Sequence, residues 1–451
     1  MHVQSNTHRC VRSCFCRIPS DASSPASDAV RRHASLARCH VQSSTMRHRF
    51  NRRGFDLLLR PRAHRRDQNS SLRSFPRAGT TNRRQSDAQS SRDGPDQLVD
   101  EARQLPTPLC ERPAAHFVQG KELWEWWKDS RRRVKDVGDS YYEQDGGPTE
   151  DELCRELDWL LDDSVAAFRT ARGKDWSDTT WKRIRPETSR ESFLNGDVLL
   201  REDLVCLHAI WKRRIANREP FQYLTNTSFW MEYVLVVGPG VLIPRPETEV
   251  LAEMARDFIQ ESPRHQSGAW ADLGCGSGAL SIAVADALEQ CASDAVVWAV
   301  DKSPVALQYT QENARRSKLS HKIKTVEGTW FDPLMNLKGK LQGIVSNPPY
   351  IPQANLQNLQ AEVGRHEPIL ALDGGSSDGL KELQIICTGA RDFLRAGGFL
   401  GLETNGALHA KALEEKLRSM QHEDRSRAFH NIRIVSDLAG ISRFVIARKN
   451  G

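Results

Sequence analysis

Asn347-Pro348-Pro349-Tyr350 combines residue types suited to alkylating a planar, conjugated nitrogen. An amide or aromatic NH2 is a poor nucleophile, because its lone pair is delocalised into the neighbouring sp2 system. Acceptors placed on its two N–H groups, here the Asn347 side-chain oxygen and the Pro348 carbonyl, return electron density to nitrogen and aim the lone pair. Consecutive prolines fix φ and stiffen the position of that carbonyl, and Tyr350 can pack on the planar group. Catalysis is then mostly orientation along an SN2 line, with no covalent intermediate and no general base required before transfer. Taken alone, the same residues are equally a proline-terminated strand entering a surface loop.

Upstream, Asp272-Leu273-Gly274-Cys275-Gly276-Ser277-Gly278 closes a predicted strand and opens a predicted helix. Glycines there let the backbone turn tightly and approach a ligand without a Cβ in the way. Asp301 ends the next predicted strand, where a carboxylate can accept hydrogen bonds from both hydroxyls of a ribose. These two features leave a nicotinamide dinucleotide open, although the spacing is G-x-G-x-G rather than G-x-G-x-x-G. Asn-Pro-Pro-Tyr behind them favours a sulfonium methyl donor, S-adenosyl-L-methionine. Trp330 is a candidate to stack on the donor's adenine, with a core or rim tryptophan as the plain alternative. Cys275 reads as filler, because no His lies nearby in sequence to activate it. His366 reads as loop structure, and Leu242 to Glu249 as a charged segment that positions the start of a helix.

The elements that must hold these residues follow from periodicity. Residues 121–218 carry helical apolar stripes, such as Leu153, Leu157, Leu160, Leu161, Val165 and Phe168 behind a capping box at Thr149-Glu150-Asp151-Glu152. This predicts a small helical domain over 116–225, in which Trp124, Trp126 and Trp127 are core. Phe229 to Val237, Gly238-Pro239-Gly240 and Val241 to Pro244 predict a linking β-hairpin. From Ala269, short apolar strands alternate with helices: 269–273, 296–300, 323–326, 343–346 and 399–403, then a closing pair near 432–435 and 444–447. The alternation predicts an α/β doubly wound parallel sheet, binding ligands at the carboxyl ends of its strands, with an antiparallel hairpin at one edge.

Composition bounds the remainder. The 451 residues carry a formal charge of +6. Residues 1–90 hold 18 Arg and 5 Asp with no Lys and no Glu, a balance of +13, which leaves −7 for the rest. An Arg- and Ser-rich, acid-poor start has the composition of an organelle transit peptide; a basic tail that binds nucleic acid or membrane is the plain alternative. Residues 1–115 are polar and aperiodic and are set aside as transit peptide and disordered leader. The acidic remainder lacks the electrostatic footprint for duplex DNA. No apolar run approaches the roughly 20 residues of a bilayer span. The ten cysteines lack zinc spacing and read as buried thiols in a reducing compartment, with no metal implied.

With those residues in place, the chain resembles the HemK/PrmC family of protein-(glutamine-N5) methyltransferases, in the form found in plant and algal organelles. The matching segments are Glu219 to Leu224, Leu242-Ile-Pro-Arg-Pro-Glu-Thr-Glu249, Asp272 to Gly278, Gly328 to Phe331, Ser346 to Pro352, and Arg365-His366-Glu367-Pro368 with Ala371 to Gly375. They span roughly residues 205–448 in order. The resemblance implies a class I, Rossmann-like, seven-stranded S-adenosylmethionine methyltransferase domain over 226–451, preceded by a helical substrate-binding domain. It implies that Asp272, Gly274, Cys275, Gly276, Ser277, Gly278, Asp301, Trp330 and Asn347 hold the cofactor. It implies that Asn347, Pro348, Pro349 and Tyr350 hold the acceptor, the glutamine amide in the Gly-Gly-Gln tip of a class 1 peptide-chain release factor. Residues 121–218 match the family only as a helical domain, longer than usual, and Asn226 stands where many members have Gly.

The rival enzyme is an adenine or cytosine amino-methyltransferase acting on nucleic acid, which needs a target-recognition domain and a basic cleft. From another class, a non-catalytic binding module could retain the fold. Gln360 to Pro368 and Val435 to Ile441 resemble the plant and algal organellar branch most, which together with the leader favours the plastid, with the mitochondrion second. The expected partner is the release factor, with no direct nucleic acid and no membrane, and a monomer is the default.

Overall fold

The structure, a computed structural model, describes residues 105–185 and 190–451. The transit-peptide expectation on residues 1–104 lies outside the described residues. Residues 105–115, set aside with it from sequence, belong to the fold. Leu109 is fully buried in the N-terminal core, and the Arg112 guanidinium donates to Asn226 Oδ1 at 2.9 Å and pairs with Glu202.

The N-terminal unit departs from the all-helical expectation. Its strands β1 (His116–Gln119), β2 (Val165–Arg169), β3 (Ser177–Asp178) and β4 (Asp197–Leu200) form an antiparallel sheet in the order β1-β4-β2-β3. Against it pack the helices Gly120–Val137, Glu150–Ser164 and Leu204–Asn217. The capping box is as expected: Thr149 Oγ1 accepts from Glu152 N, and Glu152 returns a carboxylate to Thr149 N. Trp127 is core; its indole N–H and that of Trp181 both donate to Asp158 Oδ1, at 3.0 and 3.1 Å.

A hairpin follows, β5 (Thr227–Trp230) against β6 (Tyr233–Val236). Its turn is Met231-Glu232, with Met231 at φ +48°, and not the Gly238-Pro239-Gly240 expected from composition. Asn226 sits before it at φ +53°, capping the short helix Phe221–Thr225. Asn tolerates that left-handed position better than other non-glycine residues, so the departure from Gly is accommodated.

The C-terminal sheet comprises β7 (Ala269–Leu273), β8 (Val297–Asp301), β9 (Ile323–Glu327), β10 (Leu341–Ser346), β11 (Leu394–Glu403), β12 (Phe429–Ser436) and β13 (Ser442–Lys449), in the order β12-β13-β11-β10-β7-β8-β9. β11 to β9 in that order are parallel, and β13 and β12 add antiparallel at one edge. Every residue of β10 is buried, as a strand with a sheet neighbour on both sides and helices on both faces requires. Glu249–Glu261, Ala279–Gln290 and Pro304–Arg316 cover one face, and Lys381–Phe393 and Ala407–Ser419 the other. The chain runs outward from β7 to β9 and then returns to β10 on β7's other side. The loops after β7 and β10 therefore splay apart at a topological switch, where such sheets form their binding crevice.

Candidate active site

The loop after β7 is a backbone cradle. Gly274, Gly276 and Gly278 have φ of +76°, +55° and +83°, a run that L side chains resist. A Cβ on Gly276 would meet nothing closer than Val241 Cγ2 at 4.0 Å, whereas one on Gly278 would lie 3.1 Å from Thr310 Cα. Asp301, ending β8, holds the cradle's lip: Oδ2 accepts from Gly276 N at 2.9 Å and Oδ1 from Ser303 N at 2.8 Å. Both oxygens keep a further lone pair for a ligand hydroxyl. Burial raises the Asp301 carboxyl above its ordinary range, against those backbone bonds.

Beneath the turn, Asp272 is fully buried. Its Oδ2 accepts from Ser281 Oγ at 2.6 Å, and its Oδ1 has no hydrogen-bond partner among the described residues. Burial, with the Asp301 carboxylate adding to it, pushes this carboxyl up to about 7. Two residues unnoticed in sequence brace the turn from the helix Pro304–Arg316: Thr310 Oγ1 donates to Gly276 O at 2.9 Å, and Asn313 Nδ2 to Ser277 O at 2.9 Å. They are the polar members of that helix's buried face. Cys275 is buried, and burial holds its thiol far above the ordinary range, which agrees with a filler role. Exposed Cys206, by contrast, departs from the expectation of buried thiols.

Trp330 lies three residues past the end of β9, at φ +48°. Its ring borders Gly274, whose built Cβ would be 3.4 Å away, and its Nε1 donates to Glu382 Oε2 at 2.8 Å.

Asn347 to Tyr350 leave the end of β10 beside this cradle, and Ser346 Oγ donates to Leu273 O across the switch. Asn347 Nδ2 donates to Thr248 Oγ1 at 3.1 Å; Thr248 Oγ1 donates to Glu403 Oε2 at 2.6 Å; Tyr350 Oη donates to Glu403 Oε1 at 3.1 Å. One buried carboxylate at the end of β11 thus ties both ends of the tetrapeptide. With its nitrogen taken, the Asn347 amide has its oxygen left for a donor. Burial pushes Glu403 up to about 7, with Glu247 adding to the rise and Thr248, Arg443 and Tyr350 opposing it. Neither Thr248 nor Glu403 was legible as a site residue, since they meet across 155 positions.

The cleft beside Asn347, Pro348 and Tyr350 is also lined by Leu242, Pro246, Glu247, Asn355, Leu359 and Val363. Arg245, Pro246, Gln360 and Val363 continue it into a second cavity walled by Trp159, Phe221 and Glu156 of the N-terminal unit. Arg245 Nη2 lies 2.8 Å from both oxygens of Glu367, so two of the sequence segments singled out above meet in space. His366 Nε2 bonds Asn217 O at 3.0 Å, the structural role expected of it. Among the described residues no group of His, Cys, Asp or Glu is arranged for a metal ion, and no helix is long and apolar enough to cross a membrane.

The sequence is similar to those of known proteins. The family model of the methyltransferase small domain matches residues 251–363. A release factor glutamine methyltransferase of Synechocystis sp. is 35% identical over 74% of this chain and 98% of its own length. One of Thermosynechococcus vestitus is 41% identical over 73% and 99%. One of Gloeobacter violaceus is 41% identical over 56% and 82%. Identity of that order across nearly the whole length of two such proteins, on a class I methyltransferase sheet with its glycine turn, places this chain in the release factor glutamine methyltransferase family, S-adenosylmethionine-dependent enzymes that methylate protein glutamine.

Proposed function

We propose that the chain methylates the side-chain amide nitrogen of the glutamine in the Gly-Gly-Gln tip of an organellar class 1 peptide-chain release factor. The observation that carries this reading is the anchoring of Asn347 by its amide nitrogen, which turns Oδ1 into a fixed acceptor for an N–H of the substrate. Pro348 offers its carbonyl to the second N–H, and Tyr350, held by Glu403, packs on the planar amide. S-adenosylmethionine supplies an electrophilic methyl group on sulfur. The cradle fits it: Gly274, Cys275, Gly276, Ser277 and Gly278 leave room for close approach, Asp272 supports the turn from below, and Asp301 offers its carboxylate to ribose hydroxyls. Trp330, beside Gly274, would border its adenine and Asn347 its methionine end. The N-terminal unit takes the release factor, since it walls the cavity continuous with the acceptor cleft. The enzyme acts as a monomer on protein, without binding nucleic acid.

Cyanobacterial relatives support the plastid as the site of action, with the mitochondrion as the alternative; a reporter fused to residues 1–100 decides between them. The activity is tested by methyl transfer to a purified organellar release factor, its Gly-Gly-Gln variant with Gln→Ala, and plain DNA. Labelling of the intact factor alone is expected. Labelling of DNA but not the factor overturns the proposal in favour of a nucleic-acid amino-methyltransferase.

A further inference from the structure

Three residues far apart in sequence form one directed relay behind the acceptor cleft: Asn347 Nδ2 to Thr248 Oγ1, and Thr248 Oγ1 to Glu403 Oε2. Thr248 and Glu403 are 5% and 1% exposed, so water does not compete for these bonds. A primary amide is nearly symmetric in shape, and only its hydrogen-bond partners decide which end faces which way. An ionised carboxylate can only accept. Thr248 must therefore spend its single O–H on Glu403, which leaves it only lone pairs for Asn347. Those lone pairs select the amide nitrogen and turn Oδ1 toward the cleft.

We propose that Glu403 is a positioning residue whose negative charge, relayed through the Thr248 hydroxyl, keeps the oxygen of the Asn347 amide facing the acceptor nitrogen. This rests on the reading of Asn347 Oδ1 as the atom that receives the acceptor's N–H. A proton on Glu403 reverses the relay: the carboxyl donates to Thr248, Thr248 donates to Asn347 Oδ1, and the amide turns its NH2 to the cleft. A donor then opposes the acceptor's own NH2, and the lone pair loses both its activation and its aim. Tyr350, which donates to the same carboxylate at Oε1, is held by the same charge.

The groups that face Glu403 make its charge sensitive to conditions. Glu247, on the turn Pro246–Thr248, and burial favour the proton. Arg443 on β13 opposes it, but is itself paired with Asp437 at 2.7 Å. Tyr350, beyond β10, and Thr248 stabilise the charged form through their hydrogen bonds.

The test is steady-state methyl transfer to the release factor from about pH 6 to 9, with S-adenosylmethionine affinity measured separately. Wild-type transfer is read first, on the intact factor and on its Gln→Ala variant. The expected wild-type kcat falls about tenfold per pH unit on an acid limb. Glu403→Gln is expected to lose that limb, with kcat down about a hundredfold and cofactor affinity little changed. Thr248→Val, which preserves shape, is expected to match that loss, and Thr248→Ser to restore both rate and limb. Should Glu403→Gln fail to fold, the Val and Ser variants at Thr248 decide alone. Wild-type kcat and acid limb in Glu403→Gln, or wild-type kcat in Thr248→Val, overturns the relay while the proposed function stands. Absence of wild-type transfer to the intact factor overturns both.

Discussion

Arg218 reaches from the end of the helix Leu204–Asn217 to Glu362, with Nη2 2.6 Å from Glu362 Oε2, while Gln360 and Val363 on either side of Glu362 line the acceptor cleft. The same carboxylate takes Arg214 Nη1 at 3.0 Å. Arg214 also holds Glu156, and Arg218 holds Asp145 through both of its terminal nitrogens. Both guanidiniums are almost fully buried. The segment that follows Asn-Pro-Pro-Tyr is thereby fixed to the N-terminal unit through charge.

Glu362→Ala strips from two buried cations the acid they share and leaves Arg214 with Glu156 alone and Arg218 with Asp145 alone. The cost should therefore approach, without exceeding, the loss of about 3–5 kcal/mol for a buried charge left without a partner. We expect the urea midpoint to fall accordingly, and KM for the release factor to rise more than KM for S-adenosylmethionine. The cost should survive added salt, because buried charges are poorly screened. A loss under about 0.5 kcal/mol, the range of ordinary surface substitutions, contradicts this account.

Asn347→Ala removes the acceptor for one substrate N–H and empties the lone pairs of Thr248. The expected result is transfer reduced at least about a hundredfold, with S-adenosylmethionine binding weakened but detectable by calorimetry. Turnover within a few-fold of wild type would remove Asn347 from the role assigned to it.

The inner parallel strands of the C-terminal sheet were legible because buried parallel strands read as near-continuous apolar runs, whereas β9, Ile-Lys-Thr-Val-Glu at the sheet edge, is only partly buried. Ala269–Leu273 came out residue for residue, and β8 to β10 within two positions. The N-terminal sheet was hidden because its strands have two to five residues, too few for alternation to show between strong helices. The hairpin turn was misplaced because Met231 adopts positive φ while the Gly-Pro-Gly signal nearby belongs to the next loop. Asn347, Asp301 and the glycines announced themselves through local spacing. Thr248, Thr310, Asn313, Glu362 and Glu403 did not, because their importance lies in partners that only the folded chain brings near.

Gly276 and Gly278 of the cradle should separate by what a methyl group would meet. At Gly276 the left-handed backbone penalty, about 1–2 kcal/mol, stands alone, because the added Cβ would meet only Val241 Cγ2, in ordinary contact at 4.0 Å. At Gly278 the same penalty is joined by contact with Thr310 Cα and Cγ2 at 3.1 and 3.0 Å. Gly278→Ala should therefore lower Tm further, while Gly276→Ala should lose more S-adenosylmethionine affinity per degree of Tm lost. Paired thermal denaturation and calorimetry check this, and the opposite ranking would show that the open side of Gly276 is not where the cofactor lies.

Asp272 and Glu403 are each pushed up to about 7 by burial, from ordinary carboxyl values near 4 in the unfolded chain. Between those values the native state holds protons that the unfolded chain has released, so stability must fall as pH rises. Their contribution is complete below about pH 4 and is lost as pH passes about 7, at up to about 1.4 kcal/mol per pH unit for each group. The exposed carboxylates with lowered values, such as Glu261 and Asp129, act with the opposite sign and only at lower pH. Asp301, Glu156, Glu249 and Glu367, also raised by burial, add to the fall, and His409, lowered by burial, opposes it. Asp272→Asn cannot titrate and should flatten the fall, seen as urea midpoints that vary less from about pH 5 to 7 than those of wild type. A slope identical to wild type would mean that Asp272 is already ionised in the native state, and that the orphaned Oδ1 beneath the glycine turn carries its charge unaided.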